Sequence, residues 1–100
     1  GVKDAALAEV DMLRSGNITE AYQGSSSDLQ SRISNSDFEQ VIQSYKYSDI
    51  EDYSFNSISI KNDQARLEAS VTYQDGSAGE IGVLMTKEND QWKFSSIKLF

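Results

Sequence analysis

The chain has 100 residues, 38% of them hydrophobic, which is enough for a single domain with its own core. It contains neither cysteine nor histidine, which excludes disulfides, thiolate metal sites and the commonest general base of enzymes. A formal net charge of −7 disfavours binding to nucleic acid or to an anionic membrane surface.

Two helices are predicted at the start of the chain. An apolar stripe at helical spacing predicts the first of them over about residues 3–14. Gly16 suits the left-handed position that follows a helix, and Asn17 with Glu20 can cap a short second helix. The stripe of the first helix consists of Ala6, Val10 and Leu13.

A third helix is predicted before residue 46, after a serine-rich break. Ser27 with Gln30 has the spacing of a capping box and indicates a brief turn. Ser36 with Glu39 has the same spacing and opens a longer segment with an apolar face. We therefore expect three N-terminal helices within about residues 3–46. The apolar face of the third consists of Phe38, Val41, Ile42 and Tyr45.

From residue 53 the apolar period changes to two, which predicts strands. In the first strand the apolar residues change from odd-numbered to even-numbered positions at Asn56-Ser57. This change of parity indicates a bulge or twist that lets both faces of the strand carry apolar residues. The last strand has the same change at Ser95-Ser96. Between them lie an alternating strand over residues 65–73 and a strand over residues 80–86, which is apolar on both parities and so is expected in the centre of the sheet.

Short polar turns separate these four runs, which predicts an antiparallel meander over about residues 53–100. The predicted architecture is α+β, in a single domain that spans residues 1–100. The sheet side of the predicted core consists of Leu67, Ala69, Val71, Val83, Met85, Trp92 and Phe94. The helix side consists of Val10, Leu13, Phe38 and Ile42.

Two stretches resemble a known superfamily. AALAEVDMLRSGNITEAY, from Ala5 to Tyr22, resembles the opening of cystatin-like and nuclear-transport-factor-2-like (NTF2-like) domains, and VLMTKENDQWKFSSI, from Val83 to Ile97, resembles their closing hairpin. The resemblance is nearest to small bacterial domains of unknown function. It implies helices packed on a curved four-stranded antiparallel sheet that forms a cone. It also implies that the domain is extracytoplasmic, as part of a lipoprotein or of a protein anchored by a segment outside this sequence.

In such a cone the aromatic side chains can serve as core or as the wall of a pocket. Core is the first interpretation for each of them, because a buried tyrosine usually packs with its hydroxyl bonded. No spacing marks any tyrosine and carboxylate as a catalytic pair. The candidate pocket wall consists of Tyr22, Tyr45, Tyr73, Trp92 and Phe94.

The acidic residues concentrate in the helical half, with 4 basic and 10 acidic residues (net −6) over 1–53 against 5 and 6 (net −1) over 54–100. This indicates a solvated helical layer, and a cationic partner is the alternative. Asp49, Glu51 and Asp52 form the densest carboxylate group. Oxygen ligands of this kind can hold a divalent cation, but the spacing of a calcium loop and its glycine are missing, so a solvated loop is the preferred interpretation.

These observations predict a binding or protein-interaction module without catalysis, cofactor or metal. Its partner would be a protein or a small apolar ligand in the cone, with a homodimer through the sheet face as another use of the surface. Two alternatives stay open at this point: a small enzyme with a carboxylate base in the cone, and a structural or oligomerising domain.

Overall fold

The computed structural model describes the backbone of residues 1–99 and the side chains of residues 1–96. This part of the chain forms four α-helices, one 3-10 helix and four strands. The helices are α1 (Val2–Arg14), α2 (Ile18–Gln23), α3 (Ser27–Arg32), α4 (Asn35–Ser44) and the 3-10 helix (Tyr47–Asp49). The strands are β1 (Ile50–Lys61), β2 (Gln64–Tyr73), β3 (Ala78–Glu88) and β4 (Gln91–Leu99).

The helical half contains one helix more than predicted. The segment interpreted as a turn is α3, and its cap is Ser26, whose side chain accepts from the Leu29 amide, rather than Ser27 with Gln30. Gln30 instead donates to the carbonyl groups of Tyr22, Gln23 and Ser25 at 3.1, 3.2 and 3.1 Å. A side chain that is paired with the end of α2 is not free to cap α3.

The cap predicted for the longer helix was also wrong. Its N-cap is Ser34, which accepts from the Asp37 amide at 3.1 Å, so Ser36 and Glu39 lie inside the helix. Ser34 and Asp37 have the same three-residue spacing, and Ser34 has the extended backbone that a cap requires. Asn17 occupies the N-cap position of α2 without a side-chain cap bond.

The sheet is an antiparallel meander in the order β1-β2-β3-β4, as expected, with β3 in the interior. β1 begins at Ile50 rather than near residue 53 because the 3-10 helix leads directly into it. Gly16 and Gly76 both have positive φ, 86° and 87°, which confirms the predicted end of α1 and the Asp-Gly turn between β2 and β3.

A β-bulge interrupts β1 where the parity of the sequence changes. Phe55 pairs with Ala69 and Ser57 pairs with Glu68, so Asn56 is the extra residue. The pairing of Ile58 with Leu67 then returns the apolar side chains to the face of Ala69. The expectation that both faces of this strand carry apolar residues was therefore wrong, because the bulge absorbs the change of parity.

β4 has a comparable irregularity. Its pairing with β3 shifts between Leu84 and Met85, opposite Ser96 and Phe94, where the sequence also changes parity. Ile97 and Leu99 continue the alternation, but their side chains lie outside the described residues.

The core lies between the helices and one face of the sheet. Every predicted core residue of β2, β3 and the helices is buried, and Phe94 is 1% exposed. Trp92 is the exception, since it is only half-buried at the β3–β4 turn, where its ring lies 5.8 Å from Lys87 Nζ. In the described residues, no helix has the length and apolar character needed to cross a membrane.

Candidate functional site

A groove runs between α3, α4 and β4, with a volume of about 320 Å³; we refer to it as the α4 groove. Val41 is 39% exposed in it, which is unusual for a large apolar side chain of this protein. The polar side chains of the groove are those of Arg32, Ser95 and Ser96. Its apolar side chains are those of Leu29, Ile33, Phe38, Val41, Ile42, Tyr45 and Phe94.

The floor of the α4 groove is held by aromatic contacts. The Phe38 ring lies 6.1 Å from the Phe94 ring in an edge-to-face arrangement and 5.6 Å from the Tyr22 ring. The Tyr22 hydroxyl donates to the Ile33 carbonyl at 2.7 Å, which fixes the end of α3 beside α4. The groove therefore has a packed apolar floor below an exposed apolar side chain, and such an arrangement can accept an apolar group from solution.

A second cleft, of about 510 Å³, lies where the end of α4 meets the β2–β3 turn; we call it the tyrosine cleft. Tyr45 lines both this cleft and the α4 groove. The rest of its lining is polar apart from the Tyr73 ring, so it suits a hydrated ligand better than an apolar one. The tyrosine cleft is lined by Ser44, Tyr45, Lys46, Asp49, Tyr73, Gln74, Asp75 and Ser77.

One carboxylate of the tyrosine cleft is engaged locally. Asp75 accepts from the Ser77 hydroxyl at 2.6 Å and from the Ser77 amide at 2.9 Å. These bonds stabilise the charged form and lower the pKa of Asp75 below its ordinary value of 3.8. A carboxylate with a lowered pKa is a weaker general base, so Asp75 is poorly placed for proton abstraction near neutral pH.

A buried carboxyl group, missed in the sequence, lies on the inner face of α1. Glu9 is 5% exposed and its Oε2 has no hydrogen-bond partner among the described residues. A methyl group on Gly24 would lie 3.6 Å from Glu9 Oε1, so the end of α2 closes over the carboxyl group. Burial raises the pKa of Glu9 to about 7, partly opposed by the positive charge of Lys93.

The sequence signal for Glu9 is its position, three residues after Ala6 and within the apolar stripe of the first helix. A raised pKa near neutrality is a feature of acid–base groups in active sites. Glu9 nevertheless lines neither the α4 groove nor the tyrosine cleft, so neither of them gives a substrate access to it.

A second buried polar group was also missed. Tyr47 is 1% exposed, and its hydroxyl has no hydrogen-bond partner among the described residues. Burial raises its pKa, and the neighbouring Tyr45 and Tyr73 raise it further. The Tyr45 ring is 6.1 Å from the Tyr47 ring at 90°, so these tyrosines pack together behind the tyrosine cleft.

The five candidate wall residues are divided among three places. Tyr45 and Tyr73 come together in the tyrosine cleft, and Tyr45 and Phe94 line the α4 groove. Tyr22 supports the groove from behind through Phe38, while Trp92 lies at the β3–β4 turn and lines neither cavity.

The carboxylate group of Asp49, Glu51 and Asp52 is spread over two elements. Asp49 ends the 3-10 helix and lines the tyrosine cleft, whereas Glu51 and Asp52 are exposed on β1. The Asp52 carboxylate accepts from the Tyr53 amide at 2.9 Å. Within the described residues, no three acidic side chains meet in the way that a metal ion requires.

The model of one protein family, described as "Domain of unknown function (DUF4864)", matches residues 2–100. No curated protein matches the chain.

Solved structures with the same fold include a candidate NTF2-like transpeptidase from Campylobacter jejuni, with 17% identity, a TM-score of 0.72 and coverage of 92% of this chain and 94% of that one. A variant of a protein called Rd1NTF2_05 has 12% identity, a TM-score of 0.68 and coverage of 98% and 95%. A DUF4783 family protein from Bacteroides ovatus has 10% identity, a TM-score of 0.66 and coverage of 90% and 88%. These similarities confirm the expected NTF2-like fold, and at such identities they carry no activity over to this chain.

Proposed function

Because the chain belongs to the DUF4864 family, whose function is unknown, and has an NTF2-like fold, we propose that it is a non-catalytic module that binds a small apolar ligand in the α4 groove. The observation that carries the proposal is the exposed Val41 above the apolar floor formed by Phe38 and Phe94. Ligand sites of proteins combine an apolar wall with a few polar groups, and here Arg32, Ser95 and Ser96 supply the polar rim.

The size of the groove fits this class of ligand. Its volume of about 320 Å³ lies at the lower end of the range of small-molecule sites. The Arg32 guanidinium is engaged, because it donates to Asp28 and to the Ser95 carbonyl at 3.0 Å each. A neutral apolar group suits the groove better than an anion, because Arg32, the cation that the described residues place at the rim, is already paired and the protein carries a net charge of −7.

A catalytic role is less well supported than binding. The carboxyl group with a pKa near neutrality, Glu9, is closed off from the groove, and Asp75 in the tyrosine cleft has a lowered pKa. Asp49 is the remaining carboxylate that lines that cleft. Turnover of a substrate that disappears in Asp49→Asn, with the fold intact, would overturn the non-catalytic proposal.

The binding proposal is tested with 1-octanol as the probe, by following the amide resonances of the protein during a titration. We expect saturable shifts at residues of the α4 groove, centred on Val41. Val41→Asp should weaken binding by at least about tenfold, because an ionised carboxylate would have to be desolvated at the bound ligand. Gln40→Asp is the matched control, since it adds the same charge at the exposed neighbouring position of α4 and should leave binding unchanged.

Two outcomes would contradict the proposal. One is a set of shifts that do not saturate anywhere on the protein. The other is saturable binding centred on Tyr73 and Ser77, which would move the site to the tyrosine cleft.

We also propose an extracytoplasmic location, anchored through a segment outside this sequence. Its support is the resemblance of the Ala5–Tyr22 and Val83–Ile97 stretches to bacterial domains found in that setting. Fusing a periplasmically active reporter enzyme to the gene product in its natural length would test it, and activity confined to the cytoplasm would contradict it.

A further inference from the structure

An uncharged segment lies on the open edge of the sheet. β1 pairs only with β2 in the order β1-β2-β3-β4, so its other side is an edge. Residues 53–60 carry no charged side chain, and they lie between Asp52 and Lys61. Edge strands usually carry charges that prevent pairing with another chain, and within this segment such charges are missing.

Two isoleucines continue the apolar layer of the core to this edge. Ile58 pairs with Leu67 and Ile60 pairs with Ala65, and both partners are buried. The isoleucines themselves are 43% and 56% exposed. The face that the helices cover on β2 is therefore left open on the second half of β1.

Side chains protect the first half of the same edge. Arg14 donates to the carbonyl groups of Ile50 and Glu51, and the Asp52 carboxylate accepts from the Tyr53 amide. From residue 54 to 61, no described side chain bonds to the backbone of β1. The unprotected part of the edge thus coincides with the exposed isoleucines.

We propose that β1 pairs edge to edge with β1 of a second copy of this chain, antiparallel and about a two-fold axis. The bulge at Asn56 selects the register, because it places Phe55 and Ile58 on one face in spite of their odd spacing. Phe55 then lies opposite Ile58 of the other copy, and Asp52 lies opposite Lys61. The same contacts occur twice, as a two-fold interface requires.

Charge favours this place for a contact between two copies. Two copies that each carry a net charge of −7 repel one another, so contact is most favourable where the surface is neutral and is flanked by opposite charges. The outer face of the sheet is the competing surface, but Arg66 and Glu68 are charged and form an ion pair there at 3.3 Å. The edge of β1 combines apolar area, unprotected backbone and complementary charge.

Sedimentation velocity across a range of protein concentrations tests the proposal. The wild type should show a monomer–dimer equilibrium, and Ile58→Lys should be monomeric at concentrations where the wild type is dimeric. Gln91→Lys is the matched control, because it adds the same charge at an exposed position of β4, at the opposite end of the sheet, and should leave the dimer intact. If Ile58→Lys does not fold, Ile60→Lys makes the same test at a more exposed position.

A charge exchange tests the register. Asp52→Lys and Lys61→Asp should each weaken association by at least about tenfold, because like charges then face each other twice. The variant with both changes should associate as the wild type does.

Three results would overturn the proposal. They are a wild type that stays monomeric at millimolar concentration, a dimer lost in Gln91→Lys but kept in Ile58→Lys, and assembly beyond the dimer.

Discussion

Arg14 at the end of α1 holds the start of β1 through the carbonyl oxygen of Ile50. Its Nε and one terminal nitrogen lie 3.1 and 3.0 Å from that oxygen, and the same terminal nitrogen lies 2.9 Å from the Glu51 carbonyl. The guanidinium also lies 5.1 Å from the centre of the Tyr53 ring. Residues 36 positions apart are thereby joined by a planar group that bonds and stacks at once.

Arg14→Ala should lower the free energy of unfolding by about 2 kcal/mol, because the bonds from a charged donor to the partly buried Ile50 carbonyl are lost. Arg14→Lys should recover only part of this loss, because an ammonium group cannot reproduce the fork geometry. Urea unfolding measures both. Arg66→Ala is the control, since the ion pair that Arg66 forms with Glu68 is exposed. Equal losses for Arg14→Ala and Arg66→Ala would contradict the anchoring role.

Glu9→Gln should change how stability depends on pH. In the unfolded chain Glu9 ionises near 4.5, whereas in the folded protein it ionises near 7. The contribution of Glu9 to stability is therefore complete below pH 4.5, falls as the pH rises through this interval and is lost above pH 7. This loss amounts to up to about 3 kcal/mol of the free energy of unfolding, and the Glu9→Gln variant should not show it.

Urea unfolding of wild type and Glu9→Gln at several pH values checks this prediction. The stability of the variant relative to the wild type should rise between the acidic and the neutral end of the interval. Glu20→Gln removes the same charge from an exposed position of α2 and should show no such rise. A constant difference between Glu9→Gln and the wild type would show that Glu9 ionises normally in the folded protein.

Ser34→Ala should lower the free energy of unfolding by about 1 kcal/mol, because the Asp37 amide loses its side-chain acceptor. Ser36→Ala, two residues later and exposed on the same helix, should cost less than about 0.5 kcal/mol. The midpoints of chemical denaturation compare the two. A larger loss of stability in Ser36→Ala than in Ser34→Ala would show that Ser36 is the cap, as the sequence pattern predicts.

Tyr47→Phe should leave stability unchanged or raise it by up to about 1 kcal/mol, since it removes a buried hydroxyl that has no described partner. Tyr22→Phe should lower stability by about 1 kcal/mol, because the Tyr22 hydroxyl donates to the Ile33 carbonyl at 2.7 Å. Thermal unfolding of the two variants provides the comparison. A marked loss in Tyr47→Phe would mean that its hydroxyl has a bonding partner in solution.

The elements that follow local patterns could be predicted from the sequence. The alternation of β2, the Asp-Gly turn and the stripe of α1 each depend on neighbours within a few residues, so the strands and the ends at Gly16 and Gly76 were anticipated. The caps could not be decided locally, because several serines offer the same acceptor. Contacts far apart in the chain, such as Gln30 with the end of α2, select among them.

For the same reason, the candidate site could be predicted from the sequence only in part. Aromatic character pointed to Tyr45, Tyr73 and Phe94, but only the three-dimensional packing shows that Tyr45 borders two cavities and that Trp92 borders neither. The burial of Glu9 was not predicted, because a glutamate on a surface helix is normally solvated. Its burial depends on α2 and β4, which the helical stripe alone cannot place.

The bulge at Asn56 has a consequence for how this strand can change in length. A one-residue deletion in a regular strand inverts every side chain beyond it. At Asn56 the extra residue is already unpaired, so its removal would restore regular alternation and leave Ile58 and Ile60 on their present face. A relative that lacks one of the two residues between Phe55 and Ile58 can therefore keep the same core, whereas a one-residue gap within the regularly paired β2 would invert every side chain beyond it.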